Sequence, residues 1–200
     1  MLHYFFAALL ATAPAQASPV PLSPVPASPV PAKPAPATAL PSPERRQELL
    51  FDAARLGRAD LIAPLVRTGA NINARDARGF TALILAAYNA HPDTVEALIA
   101  AGADACLPDR DQGNTAQMGV AFKGDDAIAA RLLLAGCDVN VRNRAGQTAL
   151  MMAALFARPK QIEMLLAAGA DRTLVDAAGR SAMAVAAAQG SDATVRLLGH

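Results

Sequence analysis

The chain has 200 residues, 53% of them hydrophobic but only 4% aromatic, with no tryptophan and a formal net charge of +1. Alanine therefore supplies much of the apolar count, which favours an all-helical domain packed through small side chains. Lys33 is the only charged residue before Glu44, so the stretch from Glu44 to His200 holds 17 basic and 17 acidic residues. That balance argues against a nucleic-acid binder, whose affinity draws on neutralising phosphates.

The chain starts MLHYFFAALLATAPAQA. Tyr4 to Ala13 is an uncharged, mostly apolar run, far short of the ~20 residues a bilayer span needs. Ala15-Gln16-Ala17 has the small-x-small form of a signal-peptidase site. The expectation is a cleaved signal over residues 1–17, with mature Ser18 as the new start and no membrane insertion afterwards. The n-region carries His3 but neither Lys nor Arg, and no Cys follows the apolar run to support a lipid anchor.

Residues 18–43 read SPVPLSPVPASPVPAKPAPATALPSP and hold ten of the 15 prolines. Proline removes backbone donors and fixes φ, so this stretch is expected to be an extended polyproline spacer. At ~3.1 Å per residue it reaches roughly 80 Å. Its likeness to an SH3-type ligand is superficial, and a tether is the expectation.

After Pro43 the composition changes and two landmarks recur. Gly-x-Thr/Ser appears at Gly79/Thr81, Gly113/Thr115, Gly146/Thr148 and Gly179/Ser181, spaced by 34, 33 and 33. Gly-Ala/Cys appears at Gly69-Ala70, Gly102-Ala103, Gly136-Cys137 and Gly169-Ala170, spaced by 33, 34 and 33. Both series place one inserted residue between Gly102 and Gly113. Such a period marks stacked repeats. Each unit carries two helical patterns. In the second unit these run from Thr81, an N-cap hydroxyl, to Asn89, and from Pro92 to Ala101. Pro159, Asp125 and Ser191 are expected to open the matching second helices. Val95, Leu98 and Ile99 fall on one face, repeated as Ile128/Leu132/Leu133, Ile162/Leu165/Leu166 and Val195/Leu197/Leu198. Gly102 suits the left-handed helix end.

This pattern resembles the ankyrin repeat. The residues that carry the resemblance are Asp76, Gly79, Thr81, Leu83, Ala86, Ala87, Val95, Leu98 and Gly102-Ala103, and, in the fourth unit, Gly146, Thr148, Leu150, Ala153, Ala154, Ile162, Leu165, Leu166 and Gly169-Ala170. It implies an all-α solenoid over 44–200, in units of about 44–74, 75–107, 108–141, 142–174 and 175–200. The Thr-Pro-Leu-His box is degraded: Ala82, Ala116, Ala149 and Ala182 replace its Pro, and Ile84, Met118, Met151 and Ala184 its His. Glu44 to Gly57 lacks the Gly-x-Thr start and is expected to cap the stack. Pro64 is expected to kink or shorten the first unit's second helix. Gln117, where the next units carry Leu or Met, is expected to bond locally.

Chemistry has little to work with. After Ser18 the histidines are His91 and His200. The family pattern often uses a His at the place of His91 for bonding between repeats. No nucleophile elbow, phosphate loop or Cys-x-x-Cys occurs, and Asp109/Asp111 and Asp125/Asp126 lack calcium-loop spacing. No enzyme, cofactor or metal is expected. An even cysteine count in an exported chain suggests a bridge. However, disulfide geometry needs Cα atoms within about 7 Å. Adjacent family units stand about 10 Å apart, as packed helices do, and Cys137 takes an inward Ala place. Two separate thiols are therefore expected.

Family members bind through loop tips and the exposed side of the first helices. In this register the partner-binding candidates are Arg78, Phe80, Tyr88, Asn89, Asn114, Phe122, Lys123, Arg144, Gln147, Leu155, Phe156 and Arg180. Four of the chain's eight aromatics fall in that set. An alternative role for such rings is packing against the next repeat. The expected function is noncatalytic protein–protein interaction or scaffolding in the bacterial cell envelope, by a monomer located in the periplasm or secreted, with an unknown protein partner and no nucleic acid. The alternative is a secreted effector or inhibitor acting on a foreign protein.

Overall fold

A computed structural model describes residues 40–199. The expected signal over 1–17 and most of the expected spacer lie outside the described residues, as does His200. Ser42 accepts from the Arg45 amide at 3.2 Å and opens α1, Pro43–Leu56, whose first residue is a proline placed where its missing donor costs nothing. Nine further helices follow: α2 Ala59–Arg67, α3 Ala82–Tyr88, α4 Pro92–Ala100, α5 Ala116–Lys123, α6 Asp126–Leu133, α7 Ala149–Leu155, α8 Pro159–Ala167, α9 Ala182–Ala188 and α10 Asp192–Gly199.

The helices pack as two rows. α1, α3, α5, α7 and α9 each touch the next member of their row, and α2, α4, α6, α8 and α10 do the same beneath them. This is the expected all-α solenoid of helix–turn–helix units. The capping hydroxyls stand as the period predicts: Thr81, Thr115, Thr148 and Ser181 each accept from the backbone amide three residues on. Each cap contributes about 1 kcal/mol. α1 spans 14 residues against seven for α3, and buries Leu50, Phe51, Ala53 and Ala54 over the end of the stack. The second helices give the interior one face each, Val95 and Leu98, Ile128 and Leu132, Ile162 and Leu165, all at most 3% exposed, whereas α3 buries Ala82 through Ala87. The interior divides into two clusters that meet within α5, where Ala116 and Val120 join the first and Met118 and Ala121 the second.

The connecting turns are held by carboxylates and amides. Asp76 Oδ1 accepts from the amides of Arg78 and Phe80, Asn143 Oδ1 from Ala145 and Gln147, and Asp176 Oδ1 from Ala178 and Arg180. Asp109 does the same for Gln112, Gly113 and Asn114. Its turn is one residue longer than that of Asp76, which places the inserted residue there. Successive turns are joined by backbone bonds: Arg110 N to Gly79 O, Arg144 N to Gln112 O and Ala177 N to Ala145 O. This explains two of the landmark glycines, while the others share only a left-handed φ, between 73° and 101°. A Cβ on Gly79 would lie 2.7 Å from the Arg110 Cβ, and one on Gly146 would lie 2.9 Å from the Ala177 nitrogen. Side chains are excluded because the next turn presses against them.

Four expectations need correction. Cys106 and Cys137 are not separate thiols; they form a disulfide with Cα atoms 5.4 Å apart. The wide spacing between units applies to equivalent positions, and these two are three places out of register. Cys106 stands where neighbouring units carry Asn73 and Asn140. Those asparagines accept from the amides of Asp104 and Asp171 in the next unit. At the middle joint the bridge replaces that hydrogen bond, reaching the residue just before Asp138. Pro64 does not shorten its helix: α2 has nine residues, as α4 and α8 do, and the ring is exposed, where water can serve the carbonyl it leaves free. Gln117 finds no local bond; both its amide atoms are buried without a protein partner, on a cavity of about 30 Å³ beside the disulfide. Ser191 does not cap α10 through the backbone; its hydroxyl donates to Thr194 Oγ1 at 2.8 Å.

Candidate interaction face

α3, α5 and α7 turn their outer sides the same way, so residues near their C-terminal ends line up across three units. Tyr88 and Phe122, each seven residues after its cap, stack with ring centroids 5.2 Å apart and planes 2° from parallel. Phe156, the C-cap of α7, meets Phe122 edge-on at the same separation. Offset and edge-on pairs are the favoured aromatic geometries. The rings pack on one another and still face water: Tyr88 is 44% exposed and Phe122 42%. The ladder is packed along its length and open along its side.

Cations sit over these rings. The Lys123 ammonium lies 5.5 Å from the Tyr88 centroid and 5.8 Å from that of Phe122, and the Arg78 guanidinium lies 5.2 Å from that of Phe80. Two cavities flank the ladder. One, of about 350 Å³, opens between the rings and the Asp109–Asn114 turn, and is lined by Phe80, Ile84, Tyr88, Met118, Phe122 and Phe156 among others. The second, of about 280 Å³, shares Phe80, Ile84 and Tyr88 and adds Arg55 and Arg78. Phe80, Ile84 and Tyr88 wall both.

The other sequence-predicted residues are spent on the fold. Asn114 Oδ1 accepts from Asn143 Nδ2 at 2.8 Å, and Gln147 Oε1 accepts from the same amide at 3.1 Å. Arg144 donates to the carbonyls of Asp111 and Arg110, tying turn to turn. Arg180 donates from two guanidinium nitrogens to the one Asp176 Oδ2 in the last unit. Asn89 donates to its own helix at Leu85 O, and Leu155 is half-buried against the second core cluster. Of the predicted residues the two cavities take Arg78, Phe80, Tyr88, Asn89, Asn114, Phe122 and Phe156, and Lys123 lies over the rings of Tyr88 and Phe122. Sequence reasoning missed Gly119 on the wall of the larger cavity, although the register places Leu85, Met152 and Val185 at the equivalent positions.

The titratable groups elsewhere serve structure. His91 Nε2 lies 2.9 Å from Arg55 O, 36 residues away, and closes the joint between the first two units. Arg158, its counterpart, donates to Ala121 O and Phe122 O. The Asp176 carboxyl is held below the ordinary carboxylate range, first by the Arg180 amide and then by the Arg180 guanidinium. Among the described residues no group of three His, Cys, Asp or Glu side chains is placed to hold a metal, and no helix is long and apolar enough to cross a membrane.

A family model for ankyrin repeats, three copies each time, matches residues 50–123 and again 117–200. The chain belongs to the ankyrin-repeat family. Ankyrin repeats generally mediate protein–protein interaction and generally act without catalysis. The chain is 43% identical over 108 residues to an ankyrin repeat domain-containing protein, SAT10, of Stachybotrys chartarum, covering 54% of this chain and 5% of that one. It is 41% identical over 68 residues to the mitochondrial disaggregase of Bos taurus, 34% of this chain and 10% of the relative. With a putative ankyrin repeat-containing protein of Treponema pallidum it shares 36% identity over 97 residues, 48% of this chain and 33% of the relative. The chain thus spans a third or less of these relatives, and the likeness lies in the repeats.

Proposed function

We propose that this ankyrin-repeat protein is a noncatalytic interaction module of the bacterial cell envelope that grips a partner protein with the face formed by α3, α5, α7 and their turns. The observation that carries the reading is the ladder Tyr88–Phe122–Phe156, whose two leading rings stay more than two-fifths exposed across adjacent units. Aromatic and Arg side chains in partly enclosed pockets are the types that concentrate binding energy at interfaces. Placement outside the cytoplasm is supported by two features. One is the apolar start ending in Ala15-Gln16-Ala17; the other is the disulfide, a bond that persists in oxidising compartments.

The test is affinity capture from periplasmic extract by the chain and by a Tyr88→Ala/Phe122→Ala double variant. Capture is expected to fall at least tenfold while the melting temperature moves by only a few degrees. Unchanged capture with a large loss of stability would assign the rings to packing alone. The mass of the purified chain reads export in the same preparation: a start at Ser18 supports it, and an intact Met1 refutes it.

A further inference from the structure

The bond that ties the second unit to the third lies at the surface. Cys106 is exposed and Cys137 half-buried, and together they close a joint where neighbouring units use an asparagine. A disulfide within reach of solvent is open to attack by a thiolate while the chain stays folded.

Charge decides which thiolate arrives. Asp104 Oδ1 accepts from the Cys106 amide at 2.8 Å, which keeps that carboxylate beside the cysteine it would guard. Asp138 follows Cys137 and lines, with both cysteines, the cavity of about 30 Å³, whose walls carry no Lys or Arg. Both carboxylates are exposed. The cations of the surrounding elements are engaged elsewhere: Arg131 of α6 pairs with Glu96 of α4, and Arg172, one unit on, donates to Leu198 O. The bridge therefore meets incoming molecules with a negative field.

The same bond carries an unusual share of its joint. α4 and α6 touch less than any other neighbours in their row. Without the bridge, Cys106 offers the next unit only a weak acceptor in place of the oxygen that Asn73 and Asn140 supply. The Glu96–Arg131 ion pair is partly exposed and holds little by itself.

We propose that Cys106–Cys137 is a charge-selective thiol–disulfide exchange site, and that its reduction loosens the joint between the second and third units. Its partner is a neutral dithiol or a protein dithiol with a basic rim, while anionic thiols are held off by Asp104 and Asp138. The partner's thiolate attacks the exposed Cys106 sulfur, a new S–S bond forms there, and Cys137 leaves as a thiolate. The partner's second thiolate then breaks the mixed disulfide and frees Cys106. Both cysteines take up the protons that the partner's thiols have shed. Two electrons pass to the chain, and the partner ends as a disulfide.

The test reduces the full folded chain with an excess of cysteamine, mercaptoethanol or mercaptoethanesulfonate, which are cationic, neutral and anionic. Each rate is divided by that for the neutral disulfide of mercaptoethanol, so that intrinsic nucleophilicity cancels. The cationic thiol is expected to outrun the anionic one at least tenfold in dilute buffer, with the gap closing in concentrated salt. Asp104→Asn/Asp138→Asn, which keeps both acceptor oxygens, is expected to bring the ratio below about threefold with the melting temperature within a few degrees. After reduction by dithiothreitol, hydrogen exchange is expected to quicken at 103–107 and 136–139 and to stay unchanged at the joint held by Asn73. Equal normalised rates, or a ratio untouched by the double variant, overturn the proposal. So does a reduction rate that ignores thiol concentration, because the bridge then opens only when the chain unfolds. Unchanged hydrogen exchange at the joint, or equal quickening along the whole stack, overturns it as well.

Discussion

Reduction of the Cys106–Cys137 bridge should cost this small solenoid a large part of its stability. The bridge closes a loop with a sequence separation of 31 residues. In the chain-entropy treatment, a closed loop of that size removes roughly 12 cal/mol/K from the unfolded ensemble, about 3.7 kcal/mol at 25 °C. For a domain of this length each kcal/mol moves the melting point by about 2–4 °C, so reduction should lower it by roughly 7–15 °C. The assay is circular dichroism at 222 nm during heating, with and without reductant. A Cys106→Asn/Cys137→Ala variant supplies the control, since it restores the residues that adjacent units carry at these places. The new asparagine is expected to regain the hydrogen bond that Asn73 and Asn140 make to the next unit, returning about 1 kcal/mol. The order should therefore be oxidised chain first, consensus variant second, reduced chain last. A reduction shift below about 2 °C, or two titratable thiols in the unreduced native chain, would refute the reasoning.

Two further outcomes follow from buried polar groups. Gln161 is fully buried and neither atom of its amide has a protein partner. Gln161→Leu should therefore raise stability by about 1–3 kcal/mol in urea titrations, and a loss would reveal a partner for the amide. Asp176 titrates below its ordinary range because of Arg180. A depressed folded pKa gives stability that is complete above the unfolded value of about 3.9 and is lost as pH falls through the folded one. Melting followed from pH 6 down to pH 2.5 should fall more steeply for the parent chain than for Asp176→Asn, and parallel curves would remove Asp176 from the acid response.

The repeat was legible because its landmarks do backbone work that few residues can do. Gly79 and Gly146 lie where the next turn leaves no room for a Cβ, and Thr81, Thr115 and Thr148 cap helices, so their spacing survives changes around them. The disulfide was not legible, because the distance between out-of-register positions depends on where the turns lean. The polar candidates on the interaction face could be located but not sorted. Only coordinates show that Arg144, Asn114, Gln147 and Arg180 spend their donors and acceptors inside the stack. Gly119 was visible in principle: aligned by period, it is a glycine among Leu85, Met152 and Val185.

Three departures from the repeat fall together. Gly119, the unpartnered Gln117 and the longer Asp109–Asn114 turn all belong to the third unit, and the two core clusters meet in its first helix. Two of these departures weaken that unit: a helix-interior glycine costs up to about 1 kcal/mol and an orphaned amide about 1–3 kcal/mol. In a stack where each unit leans only on its neighbours, a weak middle unit endangers the whole. The single covalent bond among the described residues that joins distant parts of the chain reaches into this unit, from Cys106 ahead of its turn to Cys137 just past α6. Its contribution, about 3.7 kcal/mol, is of the size needed to offset those losses. Proteins break local rules at functional sites and compensate nearby. The cavity, the longer turn and the bridge thus set the third unit apart, while a second orphaned amide, that of Gln161, lies in the fourth.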